Sequence, residues 1–256
     1  MLLGFGIKAF FFAYFENTFI FIGMQKVFKL CVTIFLGFVS FNGIAQDTIQ
    51  PAVADSLYRE DQFYVGVTYN VLLNLPSGAS IRGLSGGFQF GFLRDMPINE
   101  KRTIAVALGG GISIDQFGQN LLIGETPNGE TIFRVLNNVE YTRNRFNTAV
   151  VEAPIELRWR SSTPTNYKFW RVYAGFRVGY AYWYKATFKQ SGNNISQTKI
   201  PEFDRLRMAA TLSLGYNTFN FFASYSINPF FKDAITTDGE KVDFRTLKVG
   251  LMFYIL

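Results

Sequence analysis

The stretch VEAPIELRWRSSTPTNYKFWRVYAGFRVGYAY (151–182) decides the fold. Its first half places Val151, Ala153, Ile155, Leu157 and Trp159 at every second position, against Glu152, Glu156, Arg158 and Arg160. Its second half sets Trp170, Val172, Phe176, Val178, Tyr180 and Tyr182 against Arg171, Gly175, Arg177 and Gly179. Successive side chains of a strand point to opposite faces, so a period of two describes strands with one apolar and one charged face. The polar SSTPTNYK (161–168) between them has the composition of a turn. The result is a hairpin, and the fold depends on which of its faces meets water.

The same alternation recurs on both sides. Upstream, Phe63, Val65, Val67, Tyr69, Val71 and Leu73 oppose Tyr64, Gly66, Thr68 and Asn70. Leu84, Phe88, Phe90 and Phe92 then oppose Ser85, Gly87, Gln89 and Gly91, and Ile104, Val106, Leu108, Ile112 and Ile114 oppose Thr103, Ala105, Ala107 and Ser113. Downstream come Arg205–Tyr216 and Phe219–Ile227, joined by Asn217-Thr218, and a last run from Phe244 to the C-terminus. About eight strands are expected, several longer than the ~9–11 residues a tilted strand needs to cross the hydrocarbon of a bilayer.

The connections alternate in length: at one end 94–101, 161–168 and 217–218 are short, whereas at the other 115–147, 187–204 and 228–243 are long and polar and only 74–81 is short. Short turns at one end, long loops at the other and an even strand count predict an all-β, transmembrane, antiparallel up-and-down β-barrel with both termini in the periplasm. A soluble eight-stranded barrel of the lipocalin kind shares the alternation. Loop asymmetry, a membrane-like last strand and the lack of cysteine in an exported chain favour the membrane version.

Composition agrees. Apolar residues make up 48% of the 256, with 29 Phe and 13 Tyr, yet the apolar residues are dispersed rather than gathered into membrane-spanning blocks. There is no histidine, and the single cysteine, Cys31, lies in an N-terminal apolar segment. Cys/His metal sites, disulfides in the exported chain, Ser-His-Asp chemistry and cysteine nucleophiles are excluded. The net charge of +6 falls to +4 once residues 1–45, with Lys8, Lys26, Lys29 and Glu16, are removed. Such a small, dispersed excess is no nucleic-acid footprint.

From Met24, MQKVFKLCVTIFLGFVSFNGIAQ (24–46) has the lysines, the apolar run and the small residues of a secretory signal peptide, with cleavage expected between Ala45 and Gln46. Residues 1–23 are expected to be an extension ahead of the true start, the alternative being an additional anchor. Residues 46–62 are expected to form a flexible periplasmic segment and 63–256 the barrel.

Inside such a barrel the charged face forms a candidate site. A hairpin centred near Thr165 sets Glu152 opposite Arg177 and Arg158 close to Arg171, with Glu156 between them. Arg160, Arg205, Arg207 and Lys248 are expected to add inward charge. An eight-stranded barrel is only wide enough for side chains to fill, so the expected role is a salt-bridged plug. A polar conduit or anion cavity is the alternative. Trp159 and Trp170 are expected in the inner interfacial girdle, and Tyr180, Tyr182 and Tyr184 in the outer one. No catalytic residue, metal or cofactor is expected: Glu152 and Glu156, the one conceivable acid/base pair, have arginine partners. Expected partners are outer-membrane lipid and, through the long loops, other envelope or secretion proteins, with no role for nucleic acid.

The signal ending GIAQ (43–46), the opening strand FYVGVTYN (63–70), the hairpin PIELRWRSSTPTNYKFWRVYAGFRVGY (154–180) and the closing VGLMFYIL (249–256) together resemble the PorT-like, porin-family outer-membrane β-barrel proteins of Bacteroidota. The resemblance covers essentially the whole exported chain. It implies an outer-membrane β-barrel domain, with three possible roles: structural or interaction barrel, narrow porin-like channel, or accessory component of a type IX secretion and gliding system. No functional residue carries over from it.

Overall fold

The computed structural model describes residues 61–137, 139–161, 169–216 and 219–255. The expected extension (1–23), signal peptide (24–45), Ala45/Gln46 cleavage site and most of the 46–62 segment lie outside these residues. In chain order the strands are β1 Gln62–Leu73, β2 Gly86–Pro97, β3 Ile104–Gly118, β4 Leu121–Glu125, β5 Thr131–Val135, β6 Arg143–Arg160, β7 Trp170–Gln190, β8 Asn193–Gln197, β9 Leu206–Tyr216, β10 Phe219–Ser226 and β11 Arg245–Ile255. Eight of them form a ring in the order β6-β3-β2-β1-β11-β10-β9-β7, and β6 pairs back onto β7 to close it. The chain is therefore an all-β, eight-stranded antiparallel barrel, and closure removes the open edges that a flat sheet would present.

The faces are inverted relative to a water-soluble protein. Outward positions such as Phe63, Val67, Phe88, Ile155, Leu157, Leu214 and Phe221 are exposed, while the inward positions Gln62, Asn70, Asp95, Arg158, Arg160 and Asn220 are buried. An apolar exterior around a polar interior is stable in lipid, where closed strand pairing satisfies every backbone group of the wall. At the end carrying Gln62 and Ile255, aromatic residues ring the outside. The Phe63 and Phe92 rings lie 5.1 Å apart, Trp170 and Tyr216 5.3 Å, and Phe219 and Phe253 5.6 Å.

At the opposite end the strands are taller than expected. β6 begins at Arg143 rather than near Val151, and β7 continues to Gln190, where β8 folds back onto it. The expected 115–147 loop contains the top of β3, the β4–β5 hairpin and the top of β6. Inward Asn144, Phe146 and Thr148 keep the alternation there, but their outward neighbours Arg143, Arg145 and Asn147 are polar, which conceals a strand from any apolar–polar pattern.

Two register features correct the expected hairpin. Glu152 pairs with Gly179 rather than Arg177, and Arg158 pairs with Tyr173. The Ser161 and Trp170 backbones close the hairpin through a 3.1 Å hydrogen bond, which sets its centre one position further along the chain. Because the resulting slip is two residues, every side chain keeps its face. Further up, Val150 pairs with Ala181 but Ala149 with Trp183, so Tyr182 is an extra residue in a β-bulge. Above it β7 changes phase, turning Tyr184, Ala186 and Phe188 inward.

The loops do not stay in solvent. Leu121, Ile123 and Phe133 of the β4–β5 hairpin, Ile200, Phe203, Phe230, Phe231, Val242 and Phe244 pack with Phe117, Phe146 and Tyr184 into a buried apolar cluster.

Candidate functional site: the filled lumen

The lumen is occupied in layers. Nearest the chain termini, Asp95 of β2 is fully buried between two arginines of β6. Its Oδ1 lies 3.3 Å from Arg158 Nη1 and its Oδ2 2.9 Å from Arg160 Nη1. Glu156 Oε2 takes the other side of the Arg158 fork at 3.1 Å from Nε, and the guanidinium stacks 4.7 Å above the Tyr173 ring. Arg160 Nε donates to the Arg102 carbonyl, tying the network to the short β2–β3 turn. Such charges are tolerable in a low-dielectric interior because each is paired and further hydrogen-bonded.

One layer up, Arg177 of β7 is held by Glu152 Oε1 at 2.6 Å and by Gln89 Oε1, with its guanidinium 5.2 Å from the Tyr64 ring and 4.9 Å from Phe222. Gly91 and Gly111 leave room for Tyr64, since a Cβ at Gly111 would collide with its hydroxyl. Next, Asp115 joins Lys248 Nζ at 2.5 Å, Asn70 Nδ2 at 3.0 Å and the Ser113 hydroxyl. Arg207 donates to the Pro229 and Asn228 carbonyls and to Ser226, and lies 4.1 Å above the Phe230 ring. A cavity of about 50 Å³ remains between these residues and Arg177. It has room for a few waters.

The structure thus places Glu152, Glu156, Arg158, Arg160, Arg171, Arg177, Arg207 and Lys248 inside the barrel. Arg171 pairs with Arg160 across the hairpin, diagonal to Arg158, and stacks 4.4 Å from Phe169. Arg205 is a correction: it precedes β9, is exposed, and rests its guanidinium 5.2 Å over the Tyr184 ring. It lies one residue beyond the last β7–β9 pair, Tyr180 with Leu206; its carbonyl still accepts from the Ala181 N–H at 2.8 Å, but its side chain turns out to the Tyr180 hydroxyl. Tyr184 is the second correction, because the bulge at Tyr182 turns it into the cap instead of the outer girdle. Trp159, Trp170, Tyr180 and Tyr182 face outward.

Two carboxylates escaped the sequence reading. Asp95 falls within the expected 94–101 turn and Asp115 within the expected 115–147 loop, yet both continue their strands' inward alternation, Asp95 after Gln89, Gly91 and Leu93, and Asp115 after Ser113. Counting on by two from these polar inward residues would have found them.

Above the barrel, Asp204 accepts from Lys232 Nζ at 3.1 Å, Asn228 Nδ2 at 3.0 Å and the Leu206 N–H at 3.1 Å. Burial alone would raise its pKa, but these three hydrogen bonds together hold the carboxyl below its ordinary range. The interaction pins the 200–204 segment to the adjoining 228–232 loop above the neighbouring strands β9 and β10. Among the described residues no group of carboxylates is arranged to hold a metal ion.

A family model described as outer membrane protein beta-barrel domain matches residues 44–232. Among solved structures, similarity extends to two crystal structures of Ail, the attachment invasion locus protein of Yersinia pestis. The first is 16% identical, covers 78% of this chain and 100% of that one, and superposes with a TM-score of 0.38. The second, a complex with the heparin analogue sucrose octasulfate, is 14% identical with the same coverage of 78% and 100% and a TM-score of 0.34. No curated protein matches the chain.

Proposed function

The chain belongs to the outer membrane protein beta-barrel domain family, and from that premise we propose that it is a non-enzymatic, closed barrel that presents its loop end to the cell exterior for contact. The observation that carries this reading is the double obstruction of the lumen, by buried ion pairs below and packed aromatic residues above. With its lumen filled at these two levels, the barrel offers a partner its loops and its outer wall. The same obstruction speaks against the competing role of a narrow porin-like channel. PorT-like ancestry and accessory membership of a type IX secretion or gliding assembly are one form such contacts can take, and capture of partners by the intact barrel tests that form.

In this orientation both termini lie in the periplasm and the β4–β5 hairpin outside. A membrane-impermeant thiol reagent applied to intact cells should label Asn128→Cys, at the exposed tip of that hairpin, and leave Glu100→Cys, in the opposite β2–β3 turn, unlabelled, both in a Cys31→Ser background. The reverse pattern would overturn the orientation. Deleting the β4–β5 tip should abolish partner capture while the barrel still folds; capture that survives the deletion of every loop tip would overturn the contact role.

A further inference from the structure

The tall side of the barrel carries a feature that the filled lumen leaves unexplained. On β6 the outward positions run Leu157, Ile155, Ala153, Val151, and then Asn147, Arg145 and Arg143. On β7, beyond the bulge, Lys185 and Lys189 face outward. The register puts Arg143 beside Lys189, Asn147 beside Lys185, and Arg145 beside Gly118 of β3. Arg82 adjoins them, its N–H donating to the Gly118 carbonyl at 3.1 Å. Five cations therefore share one wall, and among the described residues none of the five has an ion pair; Arg145 donates only to the neutral Gln116 Oε1, at 2.8 Å. Arg82, Arg143 and Arg145 line a groove of about 1030 Å³ in which Glu140 is the one acid, and Lys185 and Lys189 lie on the strand beside it.

Height and neighbours identify what this wall meets. The last apolar outward pair here is Ile114 with Ala149, above Ile112 with Val151, and Tyr180, Tyr182 and Trp183 lie beside them on β7. The first polar pair above is Asn147 with Gln116. Two more residues of tilted strand rise by ~5 Å, which sets Arg145 within the ~5–8 Å headgroup layer that flanks the hydrocarbon. Leu84, 77% exposed, projects beside the same cleft and offers an acyl chain an apolar contact. The short side of the barrel lacks this arrangement: at the upper ends of β10 and β11 the outward residues are Tyr225, Ile227 and Leu247, with Arg245 the one cation.

We propose that the β3–β6–β7 wall, through Arg82, Arg143, Arg145, Lys185 and Lys189, binds the phosphorylated headgroup of an acylated glycolipid in the outer leaflet. Guanidinium forks suit phosphate oxygens, and fixed strands hold them at headgroup depth beside an apolar foothold. The proposal rests on the orientation given above, which thiol labelling tests separately: inverted labelling defeats the orientation, whereas the lipid experiment below judges the binding wall itself.

The full barrel is reconstituted in phosphatidylcholine nanodiscs doped with bis-phosphorylated lipid A or with its dephosphorylated form, and lipid retention is read by native mass spectrometry. Phosphorylated lipid A should be retained at least tenfold more than the dephosphorylated form. Arg143→Gln/Arg145→Gln/Lys189→Gln should erase that preference, while Arg134→Gln/Lys199→Gln, which neutralises two exposed cations off the wall, should keep it. Folding of each variant is checked by its gel mobility before and after heating. Equal retention of both lipids, an unchanged preference in the triple variant, or full competition by millimolar inorganic phosphate would overturn the proposal, the last by assigning the wall to a free anion.

Discussion

The lower lumen and the mouth fill the same barrel by opposite means. Below, Asp95, Glu156, Arg158 and Arg160 occupy the interior as paired ions. Above, Phe203 meets Tyr184 at 4.4 Å and Phe146 at 5.3 Å, while Phe230 meets Phe117 and Phe231 meets Phe133, both at 5.1 Å. Within the membrane the outer face must be apolar, so only the inner face is left for the polar half of the alternation, and its charges must neutralise one another. Beyond the membrane the strands emerge into water, where an apolar cluster can form in the ordinary way by folding loops inward. The solvent on the outside of each segment thus determines what fills its inside.

The largest effect should come from breaking the lower layer. Asp95→Ala leaves the buried Arg160 and Arg158 short of a carboxylate, and removing one partner of a buried pair typically costs ~3–5 kcal/mol. Urea unfolding of the refolded barrel in vesicles should register that loss. The double replacement Asp95→Leu/Arg160→Met should recover most of it, since an apolar pair of similar volume removes both desolvation costs. A double variant as unstable as Asp95→Ala would show that the ions do more than satisfy each other.

Phe146→Ala should come next, at ~3 kcal/mol for a cavity lined by packed aromatics. Its signature differs: protease sensitivity should rise in 121–135 and 230–244 while the barrel's own unfolding transition stays in place. If the barrel transition shifts by the full amount, mouth and lumen form one cooperative unit and the division between them fails. Glu152→Ala should cost less, ~1–3 kcal/mol, because Arg177 keeps Gln89 and two aromatic faces. Measured in the same urea series, a loss equal to that of Asp95→Ala would show the two charge layers to be equivalent.

The smallest effect is a pH dependence at the mouth. The Asp204 carboxyl is held below its ordinary range when folded, so its contribution is present above the unfolded value near pH ~4 and disappears as pH falls through the lower folded value. Proteolytic nicking within 200–232 by an acid-active protease should therefore increase at the acid end of that range. Asp204→Asn should flatten the response; an unchanged acid response in that variant would assign the titration to another group.

The barrel was legible in the sequence because lipid enforces alternation along every crossing strand, as at Val151–Trp159. The parts that were not legible share a cause. Arg143, Arg145 and Asn147 are outward but polar, so the strand beneath them looks like loop. The single extra residue Tyr182 reverses the phase of β7, and with it the fate of Tyr184, without changing the composition. The apolar cap is assembled from Phe203, Phe230 and Phe231 in segments whose average is polar, so only the closure of the mouth over Phe146 reveals them as core. Within the lumen the arginines were found from one hairpin, whereas their partner Asp95 comes from a strand remote in sequence, 63 residues before Arg158.

Single-channel recording of the purified barrel in a planar bilayer tests the two-level closure most directly. The wild-type protein should insert and show no ohmic conductance steps, and a variant lacking the β4–β5 hairpin should remain silent as long as the Asp95–Arg158–Arg160 layer is intact. Steady solute-permeable steps from the wild-type barrel would contradict the closed lumen and return the protein to the class of diffusion pores.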